Sequence, residues 1–211
     1  MSKTGGLFLV FEGVDGSGTT TQVEHLCKFL KGRGHEVVRT REPGGTPLSE
    51  RIRHLVLDPN WKETSFLTEL FLYAASRAQH VKELIAPALD RGSIVVCDRF
   101  TVSSVAYQSF GRGLDRDLVE KVNEMAIGSC IPDMTLFLRI SVKEALRRRV
   151  RRAEQIDRLE EAGQCLQERV ALGYEAVFRE DPNAVIVDAH QDPDDIAQDI
   201  KKDLLKRWAW L

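Results

Sequence analysis

The sequence predicts an α/β fold in which a parallel β-sheet is flanked by helices. Five short apolar runs alternate along the chain with longer amphipathic stretches, the order of elements in a doubly wound sheet. The runs are continuous in β-branched and aromatic residues, as in strands that are covered on both faces. The five expected strands are Leu7–Phe11, Val37–Val38, Ile94–Cys97, Thr135–Leu138 and Ala184–Val187.

The amphipathic stretches predict helices over residues 19–31, 47–57, 65–90, 115–127, 142–180 and 193–209. The last stretch opens at Asp192-Pro193, an N-cap residue followed by proline in the first turn. A chain of 211 residues that is 43% hydrophobic can bury one sizeable core, so we expect a single domain over residues 1–211. Ligands of such sheets bind beyond the carboxyl ends of the strands.

Composition narrows the class of protein. A formal net charge of −2 argues against a general nucleic-acid binder or a membrane-surface protein. The early apolar run Leu7–Phe11 is too short for a membrane span or a secretion signal, so we expect a cytoplasmic protein. No metal-binding spacing is present among the cysteines, which we expect to be buried, reduced thiols: Cys27, Cys97, Cys130 and Cys165.

A glycine-rich loop follows the first strand and precedes a helix. Gly13 and Gly18 fit the phosphate-binding pattern G-x-x-x-x-G-K-[ST], and Thr20 fits its metal-binding hydroxyl. The position of the pattern's lysine is occupied by Thr19, although that lysine normally reaches the β- and γ-phosphates. The segment therefore predicts a phosphate loop that lacks its usual cation; the alternative is an ordinary glycine-rich turn.

Two further loops follow predicted strands. The segment 40–46, Thr-Arg-Glu-Pro-Gly-Gly-Thr, forms a shaped turn in which Arg41 can present its guanidinium to a phosphate. Asp98-Arg99 follows the third strand, where the carboxylate can hold magnesium and the arginine can clamp an acceptor phosphate. The alternatives are a surface turn with a solvated arginine and a structural Asp–Arg pair.

Two helical segments are also candidates for binding. Tyr73 and Arg77 lie four residues apart and so share one helix face, where a ring could stack on a base and a guanidinium could bond its carbonyl edge. Tyr73 could instead be a core aromatic residue. The arginine-rich run 147–152 is interpreted as a solvated helix face, an RNA-binding arm or a mobile lid that brings arginine to a transferring phosphate.

Taken together, these segments resemble the thymidylate kinase family, in family order and spacing from residue 8 to about 175. The matching segments are Phe11–Gly18, Thr40–Thr46, Tyr73 with Ser76–His80, Asp98–Phe100, Ala106–Gln108 with Gly111–Gly113, Pro132-Asp133 and Asp157-Arg158. The resemblance implies a P-loop NTPase fold with a five-stranded parallel sheet and a short mobile lid, roughly residues 147–161. It also implies Mg²⁺-dependent phosphorylation of dTMP to dTDP by ATP.

The resemblance further implies roles for individual residues. Expected ATP contacts are Gly13, Asp15, Gly16, Ser17, Gly18, Thr19 and Thr20. Thr20 and Asp98 would hold Mg²⁺. Expected dTMP contacts are Asp15, Arg41, Tyr73, Arg77, Arg99, Ser104, Tyr107, Gln108 and Tyr174. Expected catalytic residues are Asp15, Arg41, Asp98, Arg99, Arg151 and Arg152.

Because the phosphate loop contains no arginine, the chain resembles the family members that carry the catalytic arginine in the lid. Candidates are Arg147, Arg151, Arg152 and Arg158. A homodimer is expected by resemblance, with dTMP and ATP as the small-molecule partners and neither nucleic acid nor membrane. The alternatives are a nucleotide-binding protein of low or no activity, because Thr19 replaces lysine, and a kinase for another nucleoside monophosphate such as dUMP.

Overall fold

A computed structural model of the protein describes residues 6–152, 163–181 and 184–211, without the side chains of Arg151 and Arg152. Five parallel strands form one sheet in the order β2-β3-β1-β4-β5. The strands are β1 (Leu7–Glu12), β2 (Val37–Arg41), β3 (Ile94–Asp98), β4 (Met134–Arg139) and β5 (Val185–Asp188). The predicted fold class is confirmed, and each expected strand agrees with an observed one to within three residues.

Helices pack on the sheet and connect its strands. They are α1 (Thr19–Gly32), α2 (Pro47–Leu57), α3 (Phe66–His80), α4 (Ala86–Asp90), α5 (Thr101–Ser104), α6 (Arg116–Ile127), α7 (Val142–Arg152), α8 (Gln164–Glu180) and α9 (Pro193–Arg207). Short polar side chains accept a backbone N–H at the start of five of them; these residues are Thr46, Ser65, Asp115, Ser141 and Asp192.

The central strand explains the continuous apolar pattern. Every residue of β1 is buried, because successive side chains point to opposite faces of the sheet and both faces are covered. Leu7, Leu9 and Phe11 belong to the larger hydrophobic cluster, whereas Phe8 and Val10 belong to a second cluster on the other face. Nowhere in the described ranges is a helix long and apolar enough to cross a membrane.

The structure differs from the predicted secondary structure at three places. Residues 101–111 were not predicted to be helical, yet they form α5 and a π-helical segment, Val105–Gly111; five consecutive buried residues from Val105 leave no amphipathic pattern to detect. The predicted helix 65–90 contains a π-helical segment, Val81–Ile85. The single helix predicted over 142–180 is interrupted, because Gly163 has a φ of 85° and α8 begins after it at Gln164.

All four cysteines are free thiols, as predicted, but they are not all buried. Cys27 and Cys97 are buried, Cys130 is half-buried and Cys165 is exposed. Cys165 lies in the first turn of α8.

Three strands bring the predicted site loops together. β1 ends at Glu12, β2 at Arg41 and β3 at Asp98. Asp98 lies in register with Arg41 on one side and with Phe11 on the other. The loops that follow the three strands therefore meet at the same edge of the sheet.

Candidate active site

The phosphate loop is a tight turn between β1 and α1. Gly16 and Gly18 have φ values of +91° and +98°, a region that L-residues with side chains rarely adopt. Because Gly18 has no side chain to cap α1, the N–H groups at the start of that helix remain available to an anion. The loop also packs on α7: a Cβ on Gly16 would lie 2.4 Å from the carbonyl oxygen of Ala145 and 3.1 Å from Cγ of Arg149.

Thr20 and Asp98 form a pair beside this loop. The Thr20 hydroxyl donates to Oδ2 of Asp98 at 2.6 Å. The other carboxylate oxygen of Asp98, Oδ1, is buried and has no hydrogen-bond partner within the described part of the chain. A buried carboxylate oxygen without a partner, next to a hydroxyl, is the type of hard oxygen ligand that Mg²⁺ prefers.

A cleft of about 560 Å³, including its opening to solvent, lies next to the phosphate loop. It is lined by residues from the phosphate loop, the 40–46 loop, α2, α3 and the segment after β3: Asp15, Glu42, Pro43, Arg53, Leu57, Tyr73, Arg77, Arg99, Phe100, Ser103, Ser104, Tyr107 and Gln108. Seven of the nine predicted dTMP contacts line this cleft; the two that do not are Arg41 and Tyr174.

A network of charged and hydroxyl groups lies at the end of the cleft nearest the phosphate loop. The guanidinium of Arg99 donates to Asp15 at 2.7 Å and to the Tyr174 hydroxyl at 2.9 Å. The Tyr107 hydroxyl donates to the other carboxylate oxygen of Asp15 at 2.8 Å. Burial raises the pKa of both tyrosines, so their hydroxyls are neutral and can donate.

Arg99 adopts an uncommon backbone conformation. Its φ is +72°, and among the described residues it is the only residue other than glycine with a positive φ. Such residues are found disproportionately at functional sites. Its backbone N–H donates to the carbonyl of Phe11 at 2.8 Å, which continues the contact between β3 and β1. The turn therefore directs the Arg99 side chain back over the end of β1, toward the phosphate loop.

Arg77 is the basic group in the wall of the cleft. It is 2% exposed and donates from Nε to Glu42 at 2.7 Å, from Nη1 to Ser104 and Asn123, and from Nη2 to the carbonyl of Phe100. A guanidinium has five N–H groups. These contacts leave one N–H, on Nη2, to face the cleft.

Buried side chains hold the walls of the cleft. His80 contacts the second oxygen of Glu42 at 3.0 Å and the Thr40 hydroxyl at 2.7 Å, which joins α3 to the 40–46 loop. Glu69 accepts a hydrogen bond from Nε2 of Gln108 at 2.9 Å. Because a carboxylate only accepts, the Gln108 amide must present its nitrogen to Glu69 and its oxygen elsewhere.

Some predicted residues lie apart from this cleft. Arg41 is half-exposed and pairs with Glu50 at 2.9 Å, and it is not among the lining residues. Tyr174 is fully buried and is not among the lining residues either, although its hydroxyl accepts from Arg99. Ser104 does line the cleft, but it is 2% exposed and its hydroxyl accepts from Arg77. The side chains of Arg151 and Arg152, as well as Arg158 and most of the predicted lid, lie outside the described residues.

Three residues of the site were missed in the sequence. Glu12 and Ser103 contact the network, and Glu42 binds Arg77 in the wall of the cleft. Glu12 ends β1 and is fully buried, and Ser103 contacts Arg99 at 3.4 Å and Tyr174 at 2.8 Å. The signal for Glu12 was a carboxylate directly after an apolar run and before the glycine-rich loop. For Ser103 no signal separates it from its neighbour Ser104.

Comparisons with known proteins identify the family. The family model for thymidylate kinase matches residues 11–200. The chain is 44% identical over 190 residues to the thymidylate kinase of Finegoldia magna, covering 90% of this chain and 93% of that protein. It is 50% identical over 175 residues to the thymidylate kinase of Synechococcus sp., covering 80% and 83% of the two chains.

A solved structure agrees with the fold. The crystal structure of thymidylate kinase from Ehrlichia chaffeensis superposes with a TM-score of 0.76 at 30% sequence identity, covering 95% of this chain and 99% of that one. The match of the family model spans the phosphate loop, the 40–46 loop, the Asp98-Arg99 turn and Tyr174. The chain belongs to the thymidylate kinase family.

Proposed function

We propose that this protein transfers the γ-phosphoryl group of ATP to dTMP, giving ADP and dTDP. The observation that carries the proposal is the joining of Arg99, Asp15 and Tyr107 in one hydrogen-bonded network between the phosphate loop and a nucleoside-sized cleft. Phosphoryl transfer asks a protein mainly for positioning and charge stabilisation. A cleft that holds an acceptor against a phosphate loop meets that need.

On the donor side, the backbone N–H groups of residues 16–20 bind the β-phosphate of ATP. Gly16 and Gly18, both at positive φ, let the loop turn these groups inward. Ser17 is almost fully buried, and its N–H, which donates to the carbonyl of Val14 at 3.0 Å, would exchange that partner for the phosphate. Gly13 allows the close approach of Ser17 to the end of β1. The start of α1 adds a favourable field for the anion.

Thr20 and Asp98 are the residues that would hold Mg²⁺. Their oxygens fit this ion, since Mg²⁺ is usually bound by one or two carboxylates together with substrate phosphates and water. When bound, the ion neutralises charge on the β- and γ-phosphates. The Thr20 hydroxyl donates to one carboxylate oxygen of Asp98, and the other oxygen has no hydrogen-bond partner among the described residues.

On the acceptor side, Arg99 and Arg41 bind the 5′-phosphate of dTMP. Arg99 is already directed toward the phosphate loop by its bond to Asp15, and Arg41 reaches the phosphate by exchanging its partner Glu50. Asp15, Tyr107 and Tyr174 surround the sugar. The acceptor oxygen is ionised, so no general base is required for the transfer.

The base lies between α3 and the segment after β3. Tyr73 stacks on thymine, and the remaining N–H of Arg77 donates to a thymine carbonyl. Gln108 directs its amide oxygen into the cleft because Glu69 holds its nitrogen, which suits the N–H of a thymine ring. Ser104 acts through Arg77, to which it is bonded at 2.9 Å.

Because Thr19 occupies the position of the usual lysine, the positive charge near the γ-phosphate comes instead from an arginine of α7 or of the residues that follow it. Arg149 is the described candidate, because its stem lies against Gly16. Arg147 instead pairs with Glu144 at 2.8 Å, and its side chain is 57% exposed. Arg151 and Arg152 remain proposed catalytic residues, since they follow on the same helix.

The protein is further proposed to act as a cytoplasmic homodimer. Large apolar side chains are exposed along α3 and the segment before it, among them Trp61, Phe66 and Phe71 at 54%, 45% and 52%. Apolar surface of this kind is commonly covered by a partner, and an isologous contact between two copies of α3 would bury it. Size-exclusion chromatography with light scattering tests this, and Phe71→Glu should yield monomer.

A coupled assay of ADP release with ATP, Mg²⁺ and dTMP tests the function, with dUMP, dCMP, dGMP and no acceptor as controls. Rapid turnover selective for dTMP supports the proposal. Turnover selective for dUMP would instead make dUMP the acceptor of the phosphoryl group. Binding of dTMP without turnover would leave a nucleotide-binding protein in which Thr19 is the lesion, and salt-dependent RNA binding would point to the arginine-rich run instead.

A further inference from the structure

Glu12 is a buried ionisable group to which the reaction described above gives no task. It is the last residue of β1, directly before Gly13, and its side chain is 0% exposed. A carboxylate in such a position is unfavourable unless hydrogen bonds satisfy it. Its partners therefore show what the position requires.

Four donors surround this carboxylate. Oε1 accepts the backbone N–H groups of Phe100 at 2.8 Å and Ser103 at 3.2 Å. Oε2 accepts the hydroxyl of Ser103 at 2.6 Å and the hydroxyl of Tyr174 at 3.1 Å. The Ser103 hydroxyl also lies 2.8 Å from the Tyr174 hydroxyl. Since an ionised carboxylate only accepts, the Ser103 proton points toward Glu12 and the Tyr174 proton toward Glu12 or Ser103, so that each oxygen keeps a lone pair for another donor.

That other donor is Arg99. Its Nη1 lies 2.9 Å from the Tyr174 oxygen and 3.4 Å from the Ser103 oxygen, while Nη2 binds Asp15 at 2.7 Å. Glu12 thus makes the two hydroxyls acceptors on the side that faces the guanidinium. It also attracts the positive charge of Arg99 directly.

We propose that Glu12 is a positioning residue for the acceptor phosphate, which holds the Arg99 guanidinium in its clamping orientation through the hydroxyls of Ser103 and Tyr174. The inference rests on the proposed function, because the 5′-phosphate of dTMP is the anion that Arg99 would clamp. Glu12 itself does not touch the nucleotide. Its effect should therefore appear in binding of the phosphate and not of the nucleoside.

A purely structural role is the competing explanation, because Glu12 also joins β1 to the start of α5 through two backbone N–H groups. Glu12→Gln separates the two roles. The amide oxygen of glutamine can still accept both backbone N–H groups, whereas its NH₂ group faces the hydroxyls as a donor. One hydroxyl proton can then lie between Ser103 and Tyr174, but the other turns toward Arg99, which can only donate, so the guanidinium loses an acceptor.

The test measures binding of dTMP and of thymidine by isothermal titration calorimetry. Thymidine has the same base and sugar but no phosphate. Glu12→Gln should weaken dTMP binding by about 10- to 100-fold, the range for hydrogen bonds to charged groups, and should leave thymidine affinity within about twofold. In an Arg99→Ala background, Glu12→Gln should cause no further loss of dTMP affinity, because the two changes act on one interaction.

Ser103→Ala is the second variant, in case Glu12→Gln does not fold. It leaves the carboxylate in place, removes one of the two hydroxyls and should weaken dTMP selectively, by less. Equal losses for dTMP and thymidine, or a loss that adds to that of Arg99→Ala, would overturn the inference alone. Failure of the wild-type protein to prefer dTMP over thymidine would overturn the proposed function together with it.

Discussion

Nε of Arg77 lies 2.7 Å from Oε2 of Glu42, and the two side chains are 2% and 4% exposed. Removing one partner of such a buried ion pair strongly destabilises the folded protein, because the remaining charge is left buried without solvent or its counter-charge. Arg77→Ala should therefore lower the free energy of unfolding by about 3–5 kcal/mol, measured by urea denaturation. Arg116→Ala, which removes a more exposed pair with Glu180, should cost about 0–1 kcal/mol. Similar values for the two variants would contradict this reading of the pair.

The cation proposed near the γ-phosphate can be tested by measuring turnover. Arg149→Ala should lower kcat on the order of 100-fold or more, since one positioned charge at the reacting group is worth that much. Arg147→Ala is the matched control and should leave kcat nearly unchanged, because its guanidinium is already paired with Glu144. Thr19→Lys should restore much of the loss in the Arg149→Ala background. A loss confined to Arg151→Ala or Arg152→Ala would transfer the role to those residues.

Gly16 should tolerate a side chain less well than Gly34. Both have φ near +90°, so an alanine at either position costs roughly 1–2 kcal/mol of backbone strain. At Gly16 the new Cβ would also meet the carbonyl of Ala145 at 2.4 Å, whereas nothing lies within 4 Å at Gly34. Thermal unfolding should thus show a larger decrease in Tm for Gly16→Ala. Equal decreases would mean that the loop does not rest on α7.

The stability of the protein should depend on the proton of Glu12. Burial above all raises its pKa above the ordinary value of 4.5, so the folded state binds this proton more tightly than the unfolded state. The resulting stabilisation is fully present below the unfolded pKa and is lost as the pH rises through the folded pKa. The free energy of unfolding of the wild type minus that of Glu12→Gln should therefore decrease from acid toward neutral pH, in denaturation curves at matched pH values. A difference that increases with pH would contradict the raised pKa.

The four thiols should react with a disulfide reagent at very different rates. Cys165 is exposed and should react first. Burial raises the pKa of Cys130 to about 11, which keeps the thiolate scarce and slows its reaction. Cys27 and Cys97 are buried, and burial raises the pKa of both, so they should react only on unfolding. Cys165→Ser is the control and should lack the rapid phase; rapid release of one equivalent from it would contradict the assignment.

The sequence predicted the sheet because its central strands, β1 and β3, are buried on both faces and so are continuous apolar runs, which are visible without tertiary information. The same reasoning failed at residues 101–111, since that helix is buried nearly all round and carries no polar stripe. It also favoured Ser104 over Ser103. Which of two adjacent serines meets Arg99 depends on the direction in which the chain leaves a turn at φ 72°, and no residue pattern encodes that direction.

The candidate site was predictable where loops follow adjacent strands, because strand order fixes which loops meet. Asp15, Asp98 and Arg99 come together for that reason. Glu12 was missed because its partners arrive from α5 and α8, about 90 and 160 residues further along the chain. Contacts of such separation require the assembled sheet.

The left-handed backbone of Arg99 means that stability and activity favour different residues at position 99. Glycine would occupy φ 72° without strain, but it would remove the guanidinium that binds Asp15 and Tyr174. A library screened for heat resistance alone would be expected to collect glycine at this position and lose phosphoryl transfer. Growth selection on the same library should retain arginine.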